Sequence, residues 1–421
     1  MITIAVATSI EAIGAETWNA FLHDEIEGYD YHRAVEMAGI EGFDLLWIVA
    51  REDTRIVGFA PAFVTSYRLD ATVQGRWKRV TEAVSRVVPS LLVCHMACLG
   101  SPAAESCMVG VAPHLDATGR RAVLLLLLQA LRQLSQDRGA GLMAIKDLPE
   151  MNAEVAAAAA QAGFHGLPGL PTARLELTHA TVEAYLASLS SATRKDMRRK
   201  LKAAGGITIE RRARVDDVLP RMMALYRGTQ ARSELRFETL PPGYFTGVLS
   251  GSDGRASCFL YWHGQDLLAF NLVLHDGQRL VDKFFCMDAD EGRRFNLYFL
   301  SWMTNVRFCI EQGIAAFVSG QAAYGPKLRL GSSLATNWLF FRHRHGLVHV
   351  LLRIAAIFLR ADRHDPVLAR LRSSFPRREK VARSAGRGIY QRIRTLIERL
   401  NPFEHPPSAP SGHLPPPGEG R

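Results

Sequence analysis

Two places in the sequence put reactive side chains where their neighbours make them costly. Asp282 and Lys283 sit inside the apolar run Leu280–Cys286. A charged pair within an apolar strand needs a partner or a task, because burying an ion without compensation is expensive. Period-two alternation places Asp282 with Phe284 on one face and Lys283 with Phe285 on the other. An ion pair at a strand edge is the competing reading. The second place is Gln321, Tyr324 and Lys327, which follow the strand candidate Ala316–Val318. Loops at strand ends often gather functional groups, and Gly320 and Gly325 allow close backbone approach to a ligand. There Tyr324 is positioned as a general acid and Lys327 as a holder of an anionic group, against the alternative of a plain strand connection. Asp282, Lys283, Tyr324 and Lys327 are the catalytic candidates, with Gln321 beside them as a binding group.

Further groups suit anion or acceptor binding. The stretch MDADEGRRFN (287–296) precedes the helical pattern Leu297–Gln312. Helix N-termini present free N–H groups to phosphate, so Gly292, Arg293 and Arg294 are candidates there. Asn296 reads first as the cap of that helix and second as a donor-facing group. Arg194, Lys195, Arg198, Arg199 and Lys202 form a basic stripe at helical spacing, either docking phosphates or facing solvent. Tyr226 and Gln230, one helical turn apart, either line an acceptor groove or pack. Arg342-His343-Arg344-His345 reads as a basic cluster or a polar linker. The six cysteines form no CxxC pair. Cys94 and Cys98, with His95 between them, lie in an apolar run, so core thiols are expected and no metal site.

The elements that must position these groups alternate between strand and helix. Strands are expected at Ile2–Ala7, Leu45–Ala50, Ile56–Val64, Leu91–Leu99, Leu142–Ile145 and Leu175–Leu177, and helices at Tyr31–Ala38, Arg120–Gln136 and Asn152–Ala162. The second half repeats the plan: helices Thr181–Ser188, Ala192–Ala204 and Val218–Ala231, a strand Ile207–Arg211, then a meander of Cys258–Trp262, Leu267–Leu274 and Leu280–Cys286. Helix Leu297–Gln312 and strand Ala316–Val318 follow. This pattern gives an α/β (α+β) fold with mixed central sheets. The expected divisions are residues 1–178, 179–345, a basic helical tail 346–400 and a disordered Pro-rich tail 401–421.

Three segments resemble the FemAB-like branch of the GNAT superfamily, including its BioF2-like acetyltransferase domain and the predicted N-acyltransferases linked to peptidoglycan biosynthesis. They are SSATRKDMRRKLKA (190–203), VDKFFCMDADEGRRFNLYF (281–299) and SGQAAYGPKLRLG (319–331), in the family's order and spacing. The resemblance covers residues 180–345 well and 1–178 in outline. It implies two GNAT-like domains in tandem and acyl transfer from acyl-CoA, or from aminoacyl-tRNA, to an amine of a small molecule or cell-envelope precursor. Such a reaction needs a base for the amine and donors for the oxyanion, and it requires no covalent enzyme intermediate. Acyl-CoA is then a donor substrate, and no bound cofactor is expected. The family's Gly-x-Gly phosphate loop is absent from residues 287–296, where Asp288, Asp290 and Glu291 stand instead.

Charge divides the chain unevenly. Residues 342–399 hold 15 Lys+Arg against 4 Asp+Glu, whereas the whole chain is +10. A basic tail suits an anionic partner, and the apolar run Leu347–Arg360 beside it suits a lipid interface, or else packs on the preceding domain. This frames the alternative function: a non-catalytic GNAT scaffold that binds a membrane surface or another anionic partner through residues 347–399. No helix-turn-helix, zinc finger or RNA-binding aromatic motif points to specific DNA binding. Without an n-region or apolar signal core, and with no 18-residue apolar run, the expected location is the cytoplasm, with the tail at the inner membrane in the second reading. Nothing in the pattern sets an oligomeric state.

Overall fold

The computed structural model describes residues 1–23, 25–68, 93–233, 237–359 and 366–371. Residues 1–370 form one compact unit, built around two mixed sheets. The first contains β1 (Ile2–Ala7), β2 (Phe43–Glu52), β3 (Arg55–Arg68), β4 (Val93–Leu99), β5 (Gly110–Val111), β6 (Leu142–Pro149) and β7 (His165–Pro168), with helices α1 (Ala15–Phe21), α2 (Tyr29–Ala38), α3 (Ala117–Asp137) and α4 (Ala153–Gln161). The second begins with β8 (Thr172–Glu176), α5 (Val182–Ser188), α6 (Ser191–Ala203), β9 (Ile207–Arg212), α7 (Leu219–Arg232) and α8 (Pro242–Gly251). It continues through the meander β10 (Ala256–His263), β11 (Asp266–His275) and β12 (Arg279–Met287), then α9 (Ala289–Arg294), α10 (Leu297–Gln312), β13 (Ala316–Val318), α11 (Tyr324–Arg329) and β14 (Ser333–Ala335). Strand β15 (Asn337–His343) and helices α12 (Gly346–Leu359) and α13 (Pro366–Leu371) complete the described chain.

The two sheets share one plan. In the first the order is β1-β2-β3-β4-β6-β15-β7, and in the second β9-β10-β11-β12-β13-β8-β14. Each runs as four antiparallel strands, one parallel step (β4 to β6, β12 to β13), then two antiparallel strands. A long helix bridges each parallel step, because parallel neighbours need a crossover. In the first half α3 does this, with Val123, Leu124, Leu127, Leu128 and Leu131 buried on the sheet.

The halves exchange a strand. β8 precedes residue 178 yet pairs with β13 and β14 of the second sheet. β15 ends the second stretch yet lies between β6 and β7 of the first. The halves also share a core, in which Tyr31, Ala34 and Val35 of α2 meet Tyr244, Phe245 and Val248 of α8. Each such fully buried side chain contributes about 1.5–3 kcal/mol.

Several elements differ from the sequence expectation. Arg342 and His343, read as part of a basic cluster or a polar linker, end strand β15, whose Phe340 and Phe341 are buried while Arg342 donates to the Ala162 carbonyl. Helix α8, for which the sequence pattern gave no expectation, opens at Pro242. That start suits proline, whose missing N–H costs nothing in a first turn. The expected basic helical tail beyond residue 371 and the Pro-rich end lie outside the described residues, as do residues 91 and 92 of the expected strand Leu91–Leu99.

Candidate active site at the junction of the two sheets

Strand β12 carries the centre of the site because it is irregular. Leu272 pairs with Phe284 and Val273 with Asp282, so Lys283 is an extra residue in a β-bulge. A bulge puts two residues opposite one and breaks alternation. The expected faces are therefore corrected. Lys283 and Phe284 lie together towards Tyr244, whose ring centroid is 5.9 Å from that of Phe284. Asp282 and Phe285 lie on the other side with Tyr298, 6.1 Å from Phe285 between ring centroids.

Lys283 is buried at 7% exposure and ties the halves together. Its Nζ donates to Glu27 Oε1 at 2.5 Å and to the Ala103 carbonyl at 2.9 Å, with Glu105 Oε1 at 3.5 Å. Burial alone would lower its pKa, but Glu27 and Glu105 together hold it well above the ordinary lysine range. Tyr31 closes this side, donating to the Ala103 carbonyl at 2.6 Å and lying 3.0 Å from the Tyr244 hydroxyl.

Asp282 is the first residue of β12 beyond its pairing with β13. These parallel strands pair over three positions only, ending at Val281–Val318, after which β12 continues paired with β11 alone. Asn271 donates to the Asp282 carboxylate at 2.5 Å and Asn305 at 3.4 Å. Burial pushes the Asp282 carboxyl up to about 6, partly opposed by the Asn271 hydrogen bond and by Lys327. Among the described residues, the buried side-chain oxygens of Asn271 and Asn305 and the Tyr298 hydroxyl find no hydrogen-bond partner. Orphaned buried polar atoms are rare, and here three surround one carboxylate.

Lys327, in α11, turns back over the segment after β13, donating to the carbonyls of Ser319 and Gly320. Burial lowers its pKa to about 8, against the pull of Asp282 and Glu105. Gly320 takes a φ of +76°, which favours glycine. Gln321 reaches the first half, donating to Asp147 Oδ1 at 3.0 Å, while Lys146 holds the other Asp147 oxygen at 2.6 Å.

Glu105 thus links Lys283 on one side of β12 electrostatically to Asp282 and Lys327 on the other, while Gln321 joins the Lys146–Asp147 pair. Tyr324 is spent elsewhere: its hydroxyl donates to the Pro171 carbonyl at 2.8 Å, fastening the entry to β8. Tyr226 and Gln230 hold the segment after α7, through the Leu240 N–H to Tyr226 at 3.0 Å and Gln230 to the Glu238 carbonyl at 2.8 Å. Arg194 donates to the Ala187 carbonyl at 2.9 Å, closing α5, and Arg198 is exposed.

The expected phosphate stretch forms α9, capped by Asp288. Arg293 and Arg294 are exposed and lie 3.7 Å from Asp290 and 3.1 Å from Glu291. Gly292 is buried, and a Cβ there would stand 2.7 Å from the flexible Met287 Sδ. Asn296 heads α10 in the left-handed region with no side-chain cap, contrary to expectation. Its carbonyl accepts from Phe299 and Leu300 instead.

The sequence reading missed Glu27, Glu105, Lys146, Asp147, Asn271 and Asn305. Lys146-Asp147 carried the same signal as Asp282-Lys283, a charged pair inside an apolar strand. Glu27 and Glu105 carried none, since their partner lies in the other half.

Residues 191–327 match the Acetyltransferase (GNAT) domain family. No curated protein matches the chain. Among solved structures, FemX covers 80% of this chain over 98% of its own, at 13% identity and TM-score 0.51. A tandem GNAT protein from the clavulanic acid biosynthesis pathway covers 82% over 98% of its own, at 13% identity and TM-score 0.48. A GCN5-related N-acetyltransferase from Kribbella flavida covers 81% over 71% of its own, at 12% identity and TM-score 0.41. Residues 191–327 thus carry an Acetyltransferase (GNAT) domain, within a chain that is similar in fold to FemX.

Proposed function

We propose that the chain transfers an acyl group from acyl-CoA to a primary amine of a small-molecule or cell-envelope precursor, with Asp282 as the general base. The observation that carries this reading is a carboxyl raised to about 6, set where β12 and β13 part and ringed by orphaned polar atoms. A base with a pKa near working pH is both ionised and able to accept a proton. The neutral amine nitrogen attacks the thioester carbonyl carbon and the C–N bond forms. Asp282 takes the amine proton, the C–S bond breaks, and the proton passes to the leaving thiolate. Lys327 favours the ionised form of Asp282, and we assign its ammonium to the developing oxyanion. Lys283, locked between Glu27 and Glu105, positions the bulge that aims Asp282.

We assign the pyrophosphate of the donor to the start of α10 near Asn296, with Arg293 and Arg294 as exposed cations beside Asp290 and Glu291. Titration calorimetry with CoA and acetyl-CoA tests the donor, and release of free thiol in the presence of primary amines tests the reaction. Binding together with amine-dependent thiol release supports the reading. Binding that is unchanged in Asp282→Asn, with thiol release lost, assigns the base. A folded protein that binds neither ligand refutes acyl-CoA and leaves an aminoacyl-tRNA or carrier-borne donor.

A further inference from the structure

Helix α12 presents two apolar faces, and one has no cover among the described residues. On the inner face, Leu352 and Ala356 pack against the cluster of Phe63, Met96, Cys98 and Phe341, and the His349 ring lies 5.7 Å from that of Phe341. On the outer face Leu347 is 84% exposed, Leu351 64% and Ile357 49%, with Val350 at 37%. Positions 347, 350, 351 and 357 fall on one helical stripe. Exposed apolar residues scattered singly are ordinary, but a contiguous stripe marks an interaction surface.

Charge identifies the occupant. Helix α12 contains no acidic residue, and in sequence Arg342 and Arg344 precede it while Arg360 and Arg363 follow. Residues 342–399 hold 15 Lys+Arg against 4 Asp+Glu. A second copy of the chain would bring two such cationic segments together, which repel. Hydrocarbon beneath anionic headgroups satisfies both the stripe and the cations. No helix among the described residues is long and apolar enough to cross a membrane, so contact is made in the plane of the surface.

We propose that α12 docks the protein on an anionic lipid surface, inserting Leu347, Val350, Leu351 and Ile357. This stands apart from the acyl-transfer reading and survives its failure. The test is co-sedimentation of the full chain with phosphatidylcholine vesicles, with and without phosphatidylglycerol. The full chain should sediment with the anionic vesicles and far less with the neutral ones. Leu347→Ser/Leu351→Ser should weaken this about a hundredfold, because two exposed leucines leave the hydrocarbon, with no change in melting temperature. Val350→Ser/Ile357→Ser is the second variant should the first misfold. The proposal is overturned if the full chain stays in the supernatant, if both folded variants sediment like the parent, or if neutral vesicles bind equally well. It is equally overturned if gel filtration shows a dimer that the substitutions dissociate while vesicles bind neither protein.

Discussion

Replacing Asp282 by Asn should make the protein more stable near neutral pH while abolishing turnover. Burial raises the Asp282 carboxyl from 3.8 to about 6, with Asn271 and Lys327 opposing. The folded chain therefore binds this proton more tightly than the unfolded chain does. That contribution to stability is complete below about pH 4 and is lost as pH rises through about 6. At about 1.4 kcal/mol per pH unit, the loss approaches about 3 kcal/mol. Part of the residue remains accessible, so this is the upper end. Asn keeps the shape and can still accept from Asn271, yet never ionises. Urea unfolding of both proteins between pH 4 and pH 7 reads the difference directly. It should be near zero at the acid end and grow in favour of the variant towards pH 7. A difference that stays flat with pH, or that grows in favour of the parent, would refute the account of a strained, buried carboxylate. Turnover of the variant, followed by thiol release, should fall at least about a hundredfold.

Four further outcomes follow from the geometry. Lys327→Met removes the cation that lowers the Asp282 pKa, so the acid limb of any residual rate profile should move to higher pH; an unmoved limb separates the two groups. Glu27→Gln leaves the buried Lys283 ammonium without its 2.5 Å partner and should cost about 3–5 kcal/mol in chemical unfolding, less to the extent that Glu105 moves in. Tyr324→Phe loses one hydrogen bond to Pro171, about 1 kcal/mol, with turnover retained; a hundredfold fall would restore Tyr324 as the general acid. Gly292→Ala brings a methyl group to 2.7 Å from the flexible Met287 Sδ and gains about 1 kcal/mol of helix propensity, so the melting temperature should change little; a large drop would show that Met287 cannot yield.

The sequence by itself determined what depends on near neighbours. Alternation and turn residues set the β10–β11–β12 meander, and apolar periodicity set α3 and α10. The chemical oddity of charges inside an apolar strand singled out Asp282 and Lys283. Tertiary structure decided whatever joins distant residues. Glu27 meets Lys283 across 256 positions, a contact that no local pattern encodes. The bulge at Lys283 reversed the faces predicted from alternation, because strand register is set by pairing with β11 and not by β12 alone. β8 and β15 lie inside sheets where the strands beside them are far from them in sequence, so their pairing is decided only by the packed molecule. Helix α12 illustrates both levels, since its apolar character is plain in the sequence. Which of its faces remains open was decided when the inner one settled on Phe341.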